Sequence, residues 1–332
     1  MLQTVKHNIL LFIVMVSLPV FSQSYDRIAF YNVENFFDTQ YDSSKYFNGF
    51  TPEGDHHWSK TRYFRKREHI YKVIVALGGW NGVSVMGFAE IENRGILEDL
   101  INNTPLKKLG YGIVHFESPD KRGIDVGMIY RKSRFNVLEA APVRVKNPDN
   151  PKWTTRDILY VKGVLQDDTV FVFYNHWPSR YGGMMNTVAL RALAARTLLH
   201  VVDSVYETEN NPKVIILGDF NDNPDDKSIQ LLLNDKTSDL VGLPANFDFG
   251  NTAGTIKHNA DWAIFDQVIV SPAMFSLPGV HLSKHFMHIF DAGFLLVEDE
   301  KNLGKKLNRT FVGFNYNGGY SDHLPVYVDL IK

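Results

Sequence analysis

After the apolar run Val214–Leu217 the chain reads "GDFNDNP", so Asp219, Asn221, Asp222 and Asn223 fall within five residues. Four branched apolar residues describe a buried strand. Polar residues at its end make turns, but ligand sites in α/β proteins also sit where strands end. The pattern recurs along the chain. "IAFYNVEN" ends in Asn32, Glu34 and Asn35, and "VSVMGFAEIEN" in Glu90, Glu92 and Asn93. "VFVFYNHWPSR" ends in Asn175, His176 and Arg180, while Asp266 sits inside the apolar run "WAIFDQVIVS". Asp322 and His323 stand just before the final strand-like run "PVYVDLI". One polar strand end is commonly a turn or cap. Six in one chain point to a shared site.

The residue types agree on a chemistry. Carboxylates and amide carbonyls are hard oxygen ligands that suit Mg²⁺ or Mn²⁺, with Ca²⁺ admissible. The chain has no cysteine, which excludes a thiolate nucleophile and disulfides. It also lacks HExxH, GxSxG and Walker A patterns, so zinc-protease, serine-hydrolase and P-loop chemistry have no support. Two histidines beside carboxylates can act as general acid and base near neutral pH. A hard metal with such a set describes hydrolysis of a phosphate ester.

Strands must position these residues. "RIAFYNV", "VSVMGFAEI", "IDVGMIY", "DILYVKGVL", "TVFVFYNHW", "KVIILGDF", "FDQVIVS" and "PVYVDLI" read as strands, several of them apolar enough to be covered on both faces. "WSKTRYFRKREHIYKVIVALG" reads as a helix with Ile70, Val73, Ile74 and Leu77 on one face. Its Arg65, Lys66 and Arg67 are expected on a solvated face. A second helix, about Asn186 to Val205, carries the stripe Leu190, Leu193, Ala194, Thr197, Leu198 and Val201. Arg191 and Arg196 are expected off that stripe. Tyr41–Trp58 reads as a long surface loop, and Lys284–Asn317 as a helix with an insertion. No linker or internal repeat divides the chain. The expectation is one α/β domain over residues 25–332.

Composition is that of a globular protein: 332 residues, 44% hydrophobic and 22% charged. A formal net charge of −2 argues against broad electrostatic adhesion to nucleic acid, though not against a nuclease's local contacts. Lys6, the short apolar run "ILLFIVMVSLPVF" and the small residues of "SQS" describe a secretory signal peptide over residues 1–22. The run is short for a membrane span. The expected location is therefore secreted or periplasmic.

Taken in order, Asn in "YNVEN", Glu in "FAEIEN", His in "NHWPSR", "GDFN", Asp in "FDQVIVS" and "SDH" resemble the endonuclease/exonuclease/phosphatase superfamily, in its deoxyribonuclease-like form. The resemblance spans Arg27 to Leu330. It implies a four-layer α/β sandwich, with two mixed β-sheets face to face and helices outside. It implies Asn32, Glu90 and Asp322 as the metal site, with Glu34 placed for a second metal. Asp219 would orient or deprotonate the attacking water, and Asn221 would hold the phosphate or Asp219. Asp266 would pair with His323, which would contact the phosphate. His176 matches the histidine of the two-histidine branches, as acid or base. Arg156 and Asn175 fall to substrate binding. Ala89 departs from the Gln that many members carry there. Glu92 competes with Glu90 as ligand, since the two share a face if the strand runs on. The implied activity is a Mg/Mn-dependent phosphodiesterase, with nucleic acid as substrate and no stable protein partner to a monomer. A lipid or small-molecule phosphodiesterase of sphingomyelinase type is the alternative. A silent binding module on the same fold is a third reading.

Overall fold

The computed structural model describes residues 25–43 and 45–332. The expected signal peptide lies outside the described residues. Two mixed sheets pack face to face. The first contains β1 (Asp26–Phe36), β2 (Val85–Ile91), β3 (Tyr111–His115) and β4 (Asp125–Arg131). Its order is Ala245–Phe247, Met287–Ile289, Val326–Ile331, β1, β2, β4, β3. The second contains β5 (Phe135–Val143), β6 (Ile158–Leu165), β7 (Asp168–His176) and β8 (Lys213–Asp219). There β5, β6, β7 and β8 are followed by Asp266–Val270 and Val241–Gly242.

Each sheet has a parallel pair at its centre, β1 with β2 and β7 with β8. A parallel pair needs a crossover, and helices supply it. α1 (Lys60–Gly78) joins β1 to β2, and α3 (Met184–Thr208) joins β7 to β8. The C-terminal ends of all four strands therefore carry Asn32, Glu90, His176 and Asp219. α1 starts where the Ser59 hydroxyl accepts from the Arg62 amide, and stops at Gly79, whose φ of 52° suits glycine.

Alternation sorts the side chains. On β8, Val214 and Ile216 face α3, packing with Phe171, Phe173, Ala194, Leu198 and Val202. Ile215 and Leu217 belong to the core shared with Phe30, Phe88 and Tyr174. The Phe30 and Tyr174 rings stack across the two sheets at 6.2 Å. Gly87 is required there, because a Cβ would sit 2.1 Å from the Tyr174 ring.

Four expectations change. Lys66 is buried, not solvated, at 1% exposure. It stands one turn before Ile70, so the apolar stripe carries it inward. The buried face of α3 is rotated toward Arg191, which is 0% exposed. Leu190, Leu193, Thr197 and Val201 are only half-buried. Arg191 tolerates this because its Nε meets Asp222 at 2.7 Å. The Tyr41–Trp58 loop is not merely superficial: Phe50 and Trp58 are buried with Phe37, Ile124 and Phe311. Between Lys284 and Asn317 there is no α-helix, only short strands and a 3₁₀ turn at Gly293–Leu295. Two further helices, α2 (Arg94–Asn102) and α4 (Lys227–Leu233), are additions.

Candidate active site

Asp219 is the centre of the cluster. Register puts it beside His176 on the parallel β7 and beside Asp266 on the antiparallel neighbour. Neighbours in register share a face, so three functional groups line up across one sheet. From the opposite sheet, Asn32 donates through Nδ2 to Asp219 Oδ2 at 3.0 Å. The Asn221 backbone amide donates to Asp219 Oδ1 at 2.9 Å. Burial raises the Asp219 pKa to about 6, further raised by Asp266 and opposed by His323. A carboxylate so placed can accept a proton near neutral pH.

The two histidines are in opposite states. His323 Nδ1 meets Asp266 Oδ2 at 2.7 Å, and its Nε2 lies 3.7 Å from Asp219. Burial opposes its charge, but Asp266 and Asp219 outweigh burial and hold the ring protonated, well above the usual histidine range. His176 Nε2 lies 3.6 Å from Asp219 and 3.8 Å from Glu90, and its Nδ1 has no hydrogen-bond partner. Burial, then Arg156 and Arg122, push it well below the usual range, so it is a neutral imidazole. The site thus offers one cationic donor and one neutral acceptor side by side.

Glu90 reaches this cluster by breaking a rule. Strict alternation would turn it toward α2, because Gly87 faces the other sheet. The register shifts between Ala89 and Ile91, and Glu90 takes a φ of 63°. The bulge swings its carboxylate to Arg122 at 3.2 Å and to the Asn35 amide at 2.9 Å. Glu92, expected on the same face, instead holds Lys45 at 2.9 Å and the Asp38 amide at 2.7 Å. Glu34, Asn35 and Asn221 share the positive φ, at 52°, 55° and 52°. Left-handed backbone in non-glycine residues is held only where its surroundings impose it.

Asp322 accepts from Arg309 at 2.8 Å. Burial would raise its pKa, but Arg309, His323 and Lys66 hold it below the usual range. Glu90 and Asp322 are each paired with a guanidinium whose side chain is 48% or 42% exposed. Such exposed partners can swing away, so these oxygens fit a hard cation. Glu34 does not fit one. Its oxygens take the Thr310 amide at 2.6 Å, the Phe311 amide at 3.3 Å and Arg309 at 3.4 Å. Burial, then Asp322, raise its pKa to about 7. Glu34, expected at a second metal, here anchors the 309–311 segment.

Asn175, expected at the substrate, is likewise bonded within the fold. It faces away from His176, where its amide donates to Leu217 O at 3.2 Å and its carbonyl accepts from Trp177 Nε1 at 3.0 Å. Arg156 is buried at 7% exposure, pairs with Asp120 at 3.3 Å and donates to the Trp177 carbonyl. It is no loose surface cation. The Asn221 side chain also donates to that carbonyl, at 3.1 Å, so its tie to Asp219 runs through its backbone. Asp222 and Asn223 are structural. Asp222 binds Arg191, Arg180 and Ser228, and Asn223 accepts from the Ile264 amide at 3.0 Å.

Several residues escape the sequence reading. Ser321 donates to Asn32 O at 2.7 Å and accepts from the His323 amide at 3.1 Å, pinning the Asp322 segment to β1. Thr255 Oγ1 accepts from the Asp266 amide at 3.1 Å. Lys66 donates to Tyr320 O and Thr310 Oγ1, both at 2.5 Å. Burial lowers its pKa to about 8, with Glu34 and Asp322 opposing. Lys66 alone had a signal, its place on the α1 stripe. Elsewhere, on the α2 side of the first sheet, His115, Glu117 and Asp125 bring ligand atoms within 4.8 Å of one another. His115 and Asp125 are already bonded at 3.0 Å.

A four-layer sandwich with carboxylates, amides and paired histidines at converging strand ends defines a class of phosphoester-hydrolysing scaffolds. Many solved structures share its fold, three among them as follows. An endonuclease/exonuclease/phosphatase from Bacteroides vulgatus is 14% identical, with a TM-score of 0.58 over 93% of this chain and 100% of its own. The human nocturnin catalytic domain with bound sulfate is 15% identical, with a TM-score of 0.53 over 92% and 94%. A mannosyl-6-phosphatase from Bacteroides thetaiotaomicron is 16% identical, with a TM-score of 0.55 over 92% and 100%. No curated protein matches the chain. The model of the Endonuclease/Exonuclease/phosphatase family matches residues 27–332, and the chain belongs to that family.

Proposed function

We propose that this protein is an exported, metal-assisted phosphodiesterase that cleaves nucleic acid. The observation that carries the reading is the Asp219 cluster, where a buried carboxylate meets a cationic His323 and a neutral His176. Asn32, Glu90 and Asp322 would hold the divalent cation. When bound, that ion polarises a phosphoryl oxygen and offsets charge developing on it. Asp219 takes a proton from the attacking water, favoured by a pKa of about 6. The Asn32 amide and the Asn221 backbone amide keep its oxygens aimed. His323 donates from Nε2 to a non-bridging oxygen, and Asp266 fixes its tautomer. His176, whose Nε2 faces Asp219 and Glu90, accepts from or positions a substrate group.

A mannosyl-6-phosphatase shares this fold, so a phosphorylated sugar is the second reading. An activity panel decides between them: single-stranded and duplex DNA, RNA, mannose 6-phosphate and sphingomyelin, each with and without chelator. We expect hydrolysis of nucleic acid, loss in EDTA, and recovery with Mg²⁺ or Mn²⁺. Full activity in chelator, or turnover of the monoester alone, would overturn the proposal.

A further inference from the structure

Two clefts share a wall, and one of them is lined by Arg122, the ion-pair partner of Glu90. The nearer one, about 590 Å³, is lined by Lys121, Arg122, Arg156 and Tyr181, with Asp120 its one acid. The farther one, about 680 Å³, adds Arg144 and Lys146 and no acid. Trp153 and Thr154 line both, so the two clefts adjoin at these residues. The nearer cleft starts at the catalytic cluster, because Arg122 bonds Glu90 and Arg156 bonds the carbonyl after His176.

Charge is concentrated here. Five cations and one carboxylate line the two clefts in a chain of net charge −2. Arg122, Arg144 and Arg156 are held in ion pairs with Glu90, Asp157 and Asp120. Among the described residues, Lys121 and Lys146 enter no ion pair and are exposed. Two rings accompany them: Trp153 is half-buried, and Tyr181 is 93% exposed before Gly182 and Gly183.

We propose that this double cleft is a track for single-stranded nucleic acid, seating the nucleotides on one side of the scissile phosphate. Lys121 and Lys146 meet backbone phosphates, and Trp153 and Tyr181 stack against bases. Alternating cations and rings are what a single strand requires. A duplex hides its base faces within the stack, and a sugar monophosphate offers neither a second phosphate nor a base to these residues. The inference rests on the phosphodiesterase reading and names its substrate class.

The test is fluorescence anisotropy in EDTA, so that the strand stays intact. The probes are labelled oligodeoxythymidylate and oligouridylate of about twelve nucleotides, and a dinucleotide. We expect the longer strands to bind at least tenfold more tightly than the dinucleotide. Tyr181→Ala should weaken that binding by about 5-fold or more. Lys121→Ala and Lys146→Ala should each flatten the dependence of log affinity on log salt by about 0.7. All three variants should hydrolyse the small diester bis(p-nitrophenyl) phosphate at the wild-type rate. Equal affinity for long and short strands, or unchanged binding by the lysine variants, would overturn the track. So would loss of binding to sphingomyelin vesicles in Tyr181→Ala with strand binding intact, which would assign the cleft to lipid. A wild type that binds the long strand but never cleaves the small diester would support the track and sink the catalytic reading instead.

Discussion

Asp219 carries more of the site than any other residue, since it touches both histidines, Asn32 and Asn221. If it is the base and His323 the charge-stabilising donor, Asp219→Asn and His323→Ala should lower kcat by about 10²-fold to 10⁴-fold. The melting temperature of Asp219→Asn should hold or rise, because burial already disfavours the Asp219 charge, whereas that of His323→Ala should fall, because the buried Asp266 loses its cation. Steady-state kinetics and thermal melts on the same samples check this; near wild-type turnover in folded Asp219→Asn would refute the assignment. Glu34 and Glu90 separate in the same spirit. Glu34→Ala should cost about 2 kcal/mol of stability, because it leaves the Thr310 and Phe311 amides without an acceptor. It should leave Mn²⁺ affinity, read by paramagnetic resonance, little changed. Glu90→Gln should weaken Mn²⁺ binding by about tenfold or more and leave stability nearly intact. The reverse pattern would restore Glu34 as a ligand.

At the scale of elements, α1 and α2 are clamped by one carboxylate. Asp99 accepts from Tyr63 Oη at 2.7 Å, Arg67 Nη1 at 3.0 Å and Asn103 Nδ2 at 2.7 Å. Burial would raise its pKa, but Asn103, Tyr63 and Arg67 bring it below the usual value. A carboxylate whose pKa falls on folding stabilises above its unfolded pKa, about 3.9. That contribution fades as the pH drops through the lower folded value. Asp99→Asn should therefore melt below wild type at neutral pH, with the gap closing as the solution is acidified below the folded pKa. Melts across that range test it, and a gap independent of pH would place the effect in packing rather than charge. The bulge in β2 acts at the same scale. It costs backbone strain at Glu90 and gains a carboxylate in the site that alternation would have pointed elsewhere.

For the whole molecule, two parallel pairs with their helices meet core to core, and their strand ends converge on one edge. Export belongs to the proposal through "ILLFIVMVSLPVF". The mature native protein should begin near Gln23 and be recovered outside the cytoplasm. N-terminal sequencing of the native protein measures this directly, and a retained Met1 on cytoplasmic protein would remove it.

The strands were readable because apolar runs and alternation are local properties of the chain. So were the polar strand ends, which is why Asn32, Glu90, His176, Asp219, Asp266 and His323 could be named before their contacts were known. The residues that surround them were not readable in that way. Arg309 reaches Glu34 across 275 positions and Ser321 reaches Asn32 across 289, and nothing local marks such pairs. Lys66 followed helical spacing inward, yet charge alone suggested solvent. The faces of Glu92 and Asn175 lay outside what alternation alone fixes. A strand's period fixes which face a residue takes only until a bulge resets it, as at Glu90, and only once one residue's direction is known, as for Asn175 beside His176. The sequence by itself determined eight strand runs, without Tyr111–His115 or Phe135–Val143, and the order of the site residues. Tertiary structure alone decided which carboxylates keep oxygens open and which are spent on anchoring the backbone. Hydrogen bonding and burial are settled by neighbours distant in the chain.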